Sequence, residues 1–164
     1  MDITWEFILR IFVAAMLGGA IGLEREYRAK EAGLRTHFLV AMGSALFMIV
    51  SAYGFDGIKL GEEQRWDVAR IAAQVVTGIG FIGAGTIIFH KSENVIRGLT
   101  TAAGVWVTAA IGLACGGGMY ILAIVAILHE HEFHYLKPVA QFHPAIIHPL
   151  LNKNHSMSQN HEQT

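Results

Sequence analysis

Three groups of polar residues interrupt an otherwise apolar chain. Glu24, Arg25 and Glu26 form the first and are followed closely by Gly33, Arg35 and Thr36. Arg70 and Gln74 form the second, four residues apart, with Asp67 three positions before Arg70. Arg97, Thr100 and Thr101 form the third. Carboxylates beside arginines suit ion pairing, and alternating charge of this kind also marks a solvated turn at a membrane surface. Thr100 and Thr101 stand where hydroxyls satisfy the free backbone groups that open a helix. Glu6 precedes Arg10 by one helical turn. Arg10 and Arg70 both fall within the first turns of apolar stretches, which leaves two readings. Either their charged heads snorkel to the interface, or they join a buried polar cluster between the first and third helices, because an intramembrane charge needs a partner.

Seven of the nine histidines lie at or after His129, and His131 and His134 share a helical face if a helix continues that far. Imidazoles such as His129, His131 and His134 beside carboxylates suit Zn, Ni or Cu, whereas magnesium prefers oxygen ligands. A transition-metal site there and a plain polar tail both remain open, and no cofactor is expected. Enzymatic chemistry finds little support: Ser44 and Ser51 have no deep histidine partner, and no P-loop is present. The string from Gly78 to Gly83 matches GxGxxG but lacks the preceding strand and following acid of a dinucleotide site. Net charge is -1, which gives no footprint for nucleic acid. The lone Cys115 sits in an apolar run and excludes a disulfide framework.

The elements that must position these residues are apolar and long. Hydrophobic residues make up 53% of the 164 and charged ones 15%, against about 25% charged in an ordinary soluble domain. Mean hydropathy is +0.43. A chain this apolar has more greasy surface than one small core can hide. A spanning helix needs about 20 apolar residues. Spans are predicted over Trp5 to Leu23, Phe38 to Phe55, Val68 to Phe89 and Leu99 to Cys115, with a fifth from about Met119. Gly116, Gly117 and Gly118 divide the last two, since three glycines make a poor helix interior and a good turn. The fifth either spans in shortened form or leaves the bilayer with its histidines at the surface. The N-terminus lacks the basic stretch of a signal peptide, so the first run is expected to stay as an anchor.

Lys and Arg number eight in the odd loops and tail against two in the even loops. Positive charge favours the cytoplasm, which places the N-terminus outside and the C-terminus in the cytoplasm. That arrangement needs an odd number of spans. The fold class expected is an all-α integral membrane protein, a bundle of about five transmembrane helices over residues 1–128, with a short His-rich cytoplasmic tail over 129–164. Pro138, Pro144 and Pro149 disfavour a long helix in that tail.

Small residues are concentrated in the spans: Gly18 and Gly22, then Gly78, Gly80, Gly83 and Gly85, then Gly112 and Gly116. In lipid such residues let helix backbones approach closely. Three uses are open: packing within one bundle, self-association into a homodimer, or a broken helix beside an ion path.

The polar groups also occur in recognisable strings. Gly22-Leu-Glu-Arg-Glu26 is followed by Ala32-Gly-Leu-Arg-Thr-His37. Arg70-Ile-Ala-Ala-Gln74 leads into Thr77-Gly-Ile-Gly-Phe-Ile-Gly-Ala-Gly85, and Arg97-Gly-Leu-Thr-Thr-Ala-Ala103 into Trp106. In this order, on consecutive spans, they resemble the MgtC/SapB family over roughly residues 8 to 128. The resemblance implies a multi-pass, non-enzymatic protein of the bacterial inner membrane, linked to magnesium limitation and, in pathogens, to survival inside macrophages and hence virulence. It implies a regulator that binds another membrane complex, such as the membrane sector of F-type ATP synthase. Virulence-associated members add a folded C-terminal domain, which the tail here is expected to lack. The motif residues it carries over are Glu24, Arg25, Glu26, Gly33, Arg35, Thr36, Arg70, Gln74, Arg97, Thr100 and Thr101. The alternative is an oligomeric magnesium or cation channel or transporter. Such a protein needs polar or acidic groups near the midplane, for which Gln74, Thr77 and Thr108 are the candidates.

Overall fold

A computed structural model describes residues 3–55, 67–90 and 95–135. Helices α1 (Ile3–Tyr27), α2 (Leu34–Tyr53), α3 (Val68–Gly85), α4 (Leu99–Gly116) and α5 (Tyr120–Tyr135) follow one another, with strands β1 (Ile88–His90) and β2 (Val95–Arg97) between α3 and α4. The bundle belongs to the first of two compact units, Met1–Glu130; the second is His131–Thr164.

Helices α1, α2 and α4 are long and apolar enough to cross a membrane, with stretches of 24, 20 and 18 residues. At a rise of about 1.5 Å per residue these reach roughly 27–36 Å, the thickness of a hydrocarbon core. The apolar parts of α3 and α5 are shorter. Helix α3 ends at Gly85 rather than Phe89, where the Thr86 amide and hydroxyl both bond to the Gly83 carbonyl. The chain then enters an antiparallel hairpin, with Ile88 opposite Arg97 and His90 opposite Val95. No sequence reading foresaw those strands. Gly98 closes the hairpin at φ +88°, where a side chain would strike the Thr86 carbonyl. The glycine turn lies where expected, with Gly118 at φ +77°. Helix α5 runs past Leu128 through His129 and Glu130. The expected tail from residue 136 onward lies outside the described residues.

The interior is made of small side chains. Ala14, Ala45, Cys115 and Ala123 join Ile21 and Ile111 in one buried cluster, and Ala32, Ile79, Val105 and Ala109 form another. Large apolar residues instead point outward, among them Phe12, Met16, Leu39, Phe47 and Ile121. A water-soluble fold buries its large apolar groups; here they meet the solvent and the small ones face each other, the arrangement that suits lipid.

Glycines set the spacing of the bundle. A Cβ on Gly18 would lie 2.5 Å from the Ala41 Cβ and from the His37 carbonyl oxygen, and one on Gly116 would lie 2.5 Å from the Ala45 carbonyl oxygen. Gly22 and Gly112 likewise press on the α2 backbone. Of the three uses of glycine, these four serve packing within the bundle, with α2 gripped between α1 and α4. Gly83 rests on Ala102 at ordinary contact distance, while among the described residues Gly78, Gly80 and Gly85 have nothing within 4 Å of a Cβ position.

Candidate functional site

The C-terminal turn of α1 carries Arg25 into the bundle. Its side chain is 2% exposed and pairs with Glu130 of α5, itself 12% exposed. The guanidinium lies over Gly104 of α4, where a Cβ would come within 3.0 Å of Nη2. One buried cation therefore ties α1, α4 and α5 at this end. Burying a charge without such a partner costs several kcal/mol, roughly.

The residues beside it close the α1–α2 turn. Glu24 pairs with Arg28 at 2.7 Å, one helical turn away. The Glu26 carboxylate accepts the Leu34 amide at 2.8 Å and so supplies the cap that Gly33 cannot. A Cβ on Gly33 would crowd that carboxylate at 2.8 Å. The Gly33 carbonyl accepts from the His37 backbone amide and lies 2.9 Å from His37 Nδ1. His37 is wholly buried, and its Nε2 has no hydrogen-bond partner. Arg35 and Thr36 line a shallow surface pocket with Glu26 and Leu34.

From α4, Thr101 reaches the same turn: its buried hydroxyl donates to Glu31 Oε2 at 2.5 Å. That corrects the expected capping role, since α4 opens on the backbone of Gly98 with no side-chain cap. The Thr101 hydroxyl, with backbone hydrogen bonding at Glu31 itself, holds the Glu31 carboxyl below the ordinary carboxylate range; Lys30 and Arg97 add to the effect. Thr100 and Arg97 lie exposed beside it.

Arg10 builds a second polar knot at the opposite ends of the helices. It pairs with Glu6, donates to the Gly116 carbonyl at 2.8 Å and approaches the Tyr53 hydroxyl at 3.4 Å. The rings of Phe7 and Tyr53 lie 5.8 and 5.6 Å from its guanidinium carbon. Of the two readings left open for Arg10 and Arg70, a buried cluster forms around Arg10, from α1, α2 and the end of α4, and among the described residues Arg70 does not join it. Arg70 is 79% exposed and meets Asp67 at 3.9 Å. Gln74 and Thr77 are exposed on α3, the Thr77 hydroxyl bonding back to Ala73 at 3.2 Å. Thr108 is buried and satisfied by Gly104 of its own helix at 2.8 Å.

The motif residues therefore separate. Those of the first and third strings meet at one end of the bundle, and Arg70 and Gln74 stand apart on α3. Glu31, His37 and Glu130 belong to the meeting place and were not among the sequence candidates. Glu130 alone had a visible signal, an acid placed directly after an apolar run. His129 has a ring nitrogen 3.2 Å from the Val125 carbonyl oxygen; the side chains of His131 and His134 lie outside the described residues. Among the described residues no group of three potential metal ligands forms.

Sequence comparison places this arrangement among known proteins. The MgtC family model matches residues 11–140. The "Putative magnesium transporter YhiD" of Escherichia coli K12 is 56% identical over 137 residues, 81% of this chain and 63% of the relative. "Protein MgtC" of Brucella abortus strain 2308 is 49% identical over 113 residues, 69% of this chain and 43% of the relative. An uncharacterized protein of Haemophilus influenzae is 42% identical over 118 residues, 71% of this chain and 49% of the relative. The chain thus spans between two fifths and two thirds of the length of these relatives. No solved structure matches. With most of its length under the family model and its three motif strings carried on α1 to α4, the chain belongs to the MgtC family.

Proposed function

We propose that this is a non-enzymatic, multi-pass protein of the bacterial inner membrane, its N-terminus outside, that serves adaptation to magnesium limitation or intracellular survival. It acts by contacting and regulating another membrane complex, such as the membrane sector of F-type ATP synthase. The observation that carries this reading is where charge is absent. Helices α2, α3 and α4 contain no Asp or Glu, and those of α1 sit at its two ends. A cation pathway needs polar or acidic ligands near the midplane, and the two arginines carried inward are already engaged by Glu6 and Glu130.

Reconstitution with F-type ATP synthase in liposomes tests it. ATP-driven proton pumping falls when the chain is present and recovers with Arg25→Ala; pumping indifferent to the chain contradicts regulation of that complex. A second reading, oligomeric magnesium transport, is favoured by the name of the Escherichia coli relative. Saturable magnesium flux into liposomes that Gln74→Ala abolishes would establish it.

A further inference from the structure

One ring inside the bundle keeps an unused hydrogen-bonding atom. His37, in the first turn of α2, is wholly buried, with Gly22 of α1 set against its Cβ. Its Nδ1 lies 2.9 Å from the Gly33 carbonyl oxygen. A carbonyl only accepts, so Nδ1 carries the hydrogen and donates, which leaves a lone pair on Nε2. Among the described residues that Nε2 has no hydrogen-bond partner. The charged groups that act on the ring are Arg25 from α1 and Glu130 from α5. Helix α4 carries no charged residue, Arg70 of α3 stands apart, and Arg35 of α2 is exposed. In the adjoining turn Glu24, Glu26 and Glu31 are engaged by Arg28, the Leu34 amide and Thr101.

We infer that His37 is an acid-sensitive trigger for the clasp between Arg25 and Glu130. A proton taken from water onto Nε2 favours a form in which the Glu130 end of α5 parts from Arg25. While the ring is neutral the buried charges balance, one cation against one carboxylate. The proton adds a second cation beside them and creates an N–H with no acceptor in the closed bundle. Both are costly away from water. Neither cost arises once α5 parts, because water then reaches the ring and both charged groups. A form that takes up a proton more readily gains population as pH falls. The clasp is therefore complete above the ordinary imidazole range and weakens as pH falls below it. With a hydrated imidazole titrating near ~6.5, the ratio of parted to closed molecules rises about tenfold from about pH 7.5 to about pH 5.5. The inference goes beyond the regulatory proposal and does not depend on it.

Distances between two spin labels test it, in full-length protein in lipid nanodiscs with Cys115→Ser as background. The labels sit on Tyr27→Cys at the end of α1 and His129→Cys on α5, both exposed positions. Adding Glu130→Ala should mark the parted distance at either pH, and a closed distance in that variant would overturn the inference. With Glu130 intact, the parted population should grow about tenfold relative to the closed one over the range given above. The growth should vanish in His37→Asn, whose amide can still donate to Gly33 but does not titrate. A distance distribution unchanged by pH would overturn the inference, as would an undiminished response in His37→Asn, which would assign the effect to other histidines. Should His37→Asn fail to fold, nitrogen-15 NMR of the His37 ring in the labelled chain decides. Nε2 should be unprotonated at about pH 7.5 and gain its proton together with the change in distance. An Nε2–H already present at about pH 7.5, or a proton gained with no change in distance, would overturn the inference.

Discussion

Arg25 is 2% exposed and Glu130 12%, and each charge offsets part of the cost of burying the other. Removing one partner of a buried pair leaves an uncompensated charge, a loss of about 3–5 kcal/mol. Glu130→Ala should therefore lower stability by about that amount in a denaturant titration in detergent micelles. Glu130→Ala combined with Arg25→Met should recover much of the loss, and a double variant as weak as the single one would contradict the pairing. Glu31 allows a finer test. Its carboxyl titrates below the ordinary value when folded, chiefly through the Thr101 hydroxyl. Its contribution is thus complete above the unfolded carboxylate value and is lost as pH falls through the lower folded one. Carboxyl NMR of Thr101→Val should show the Glu31 midpoint moving up toward the ordinary range; a midpoint that stays in place would contradict the bond.

At the scale of elements, each glycine follows from what lies opposite it. A Cβ at Gly112 would stand 2.7 Å from the Ser44 Cβ, and at Gly116 2.7 Å from the Met48 Cβ, with α2 backbone nearby in both cases. Gly112→Leu should cost at least about 1–3 kcal/mol, the range for overpacking, and Gly80→Ala should leave stability level or raise it by up to about 1 kcal/mol. Equal losses at both positions in thermal unfolding would contradict the assigned packing. The apolar runs behind α1, α2 and α4 were legible in the sequence because length and hydropathy alone identify them. The turn at Gly116 to Gly118 was legible because three successive glycines make a poor helix interior and a good turn. The hairpin was not legible: its strands are three residues each, and β1 continues an apolar run that also suits helix. Helix α2 begins at Leu34 rather than Phe38 because Glu26, eight residues upstream, caps it. Local spacing rules do not contain such a contact, and Arg25 with Glu130, 105 positions apart, lies further still beyond them.

Over the described residues the helix bundle is arranged for lipid, with small side chains prominent inside, many large apolar side chains outside and charge towards the helix ends. The buried arginines Arg10 and Arg25 lie towards opposite ends of α1, and positive charge concentrates in the turn that follows Arg25. If α1 crosses a bilayer, those ends face different compartments. The direct measurement is labelling of single cysteines by a membrane-impermeant maleimide, in intact cells and in inverted vesicles, with Cys115→Ser as background. Thr4→Cys should label only in intact cells and Ala29→Cys only in inverted vesicles. Labelling of both from one side, or recovery of the chain in the soluble fraction without detergent, would contradict a helix bundle that spans the membrane.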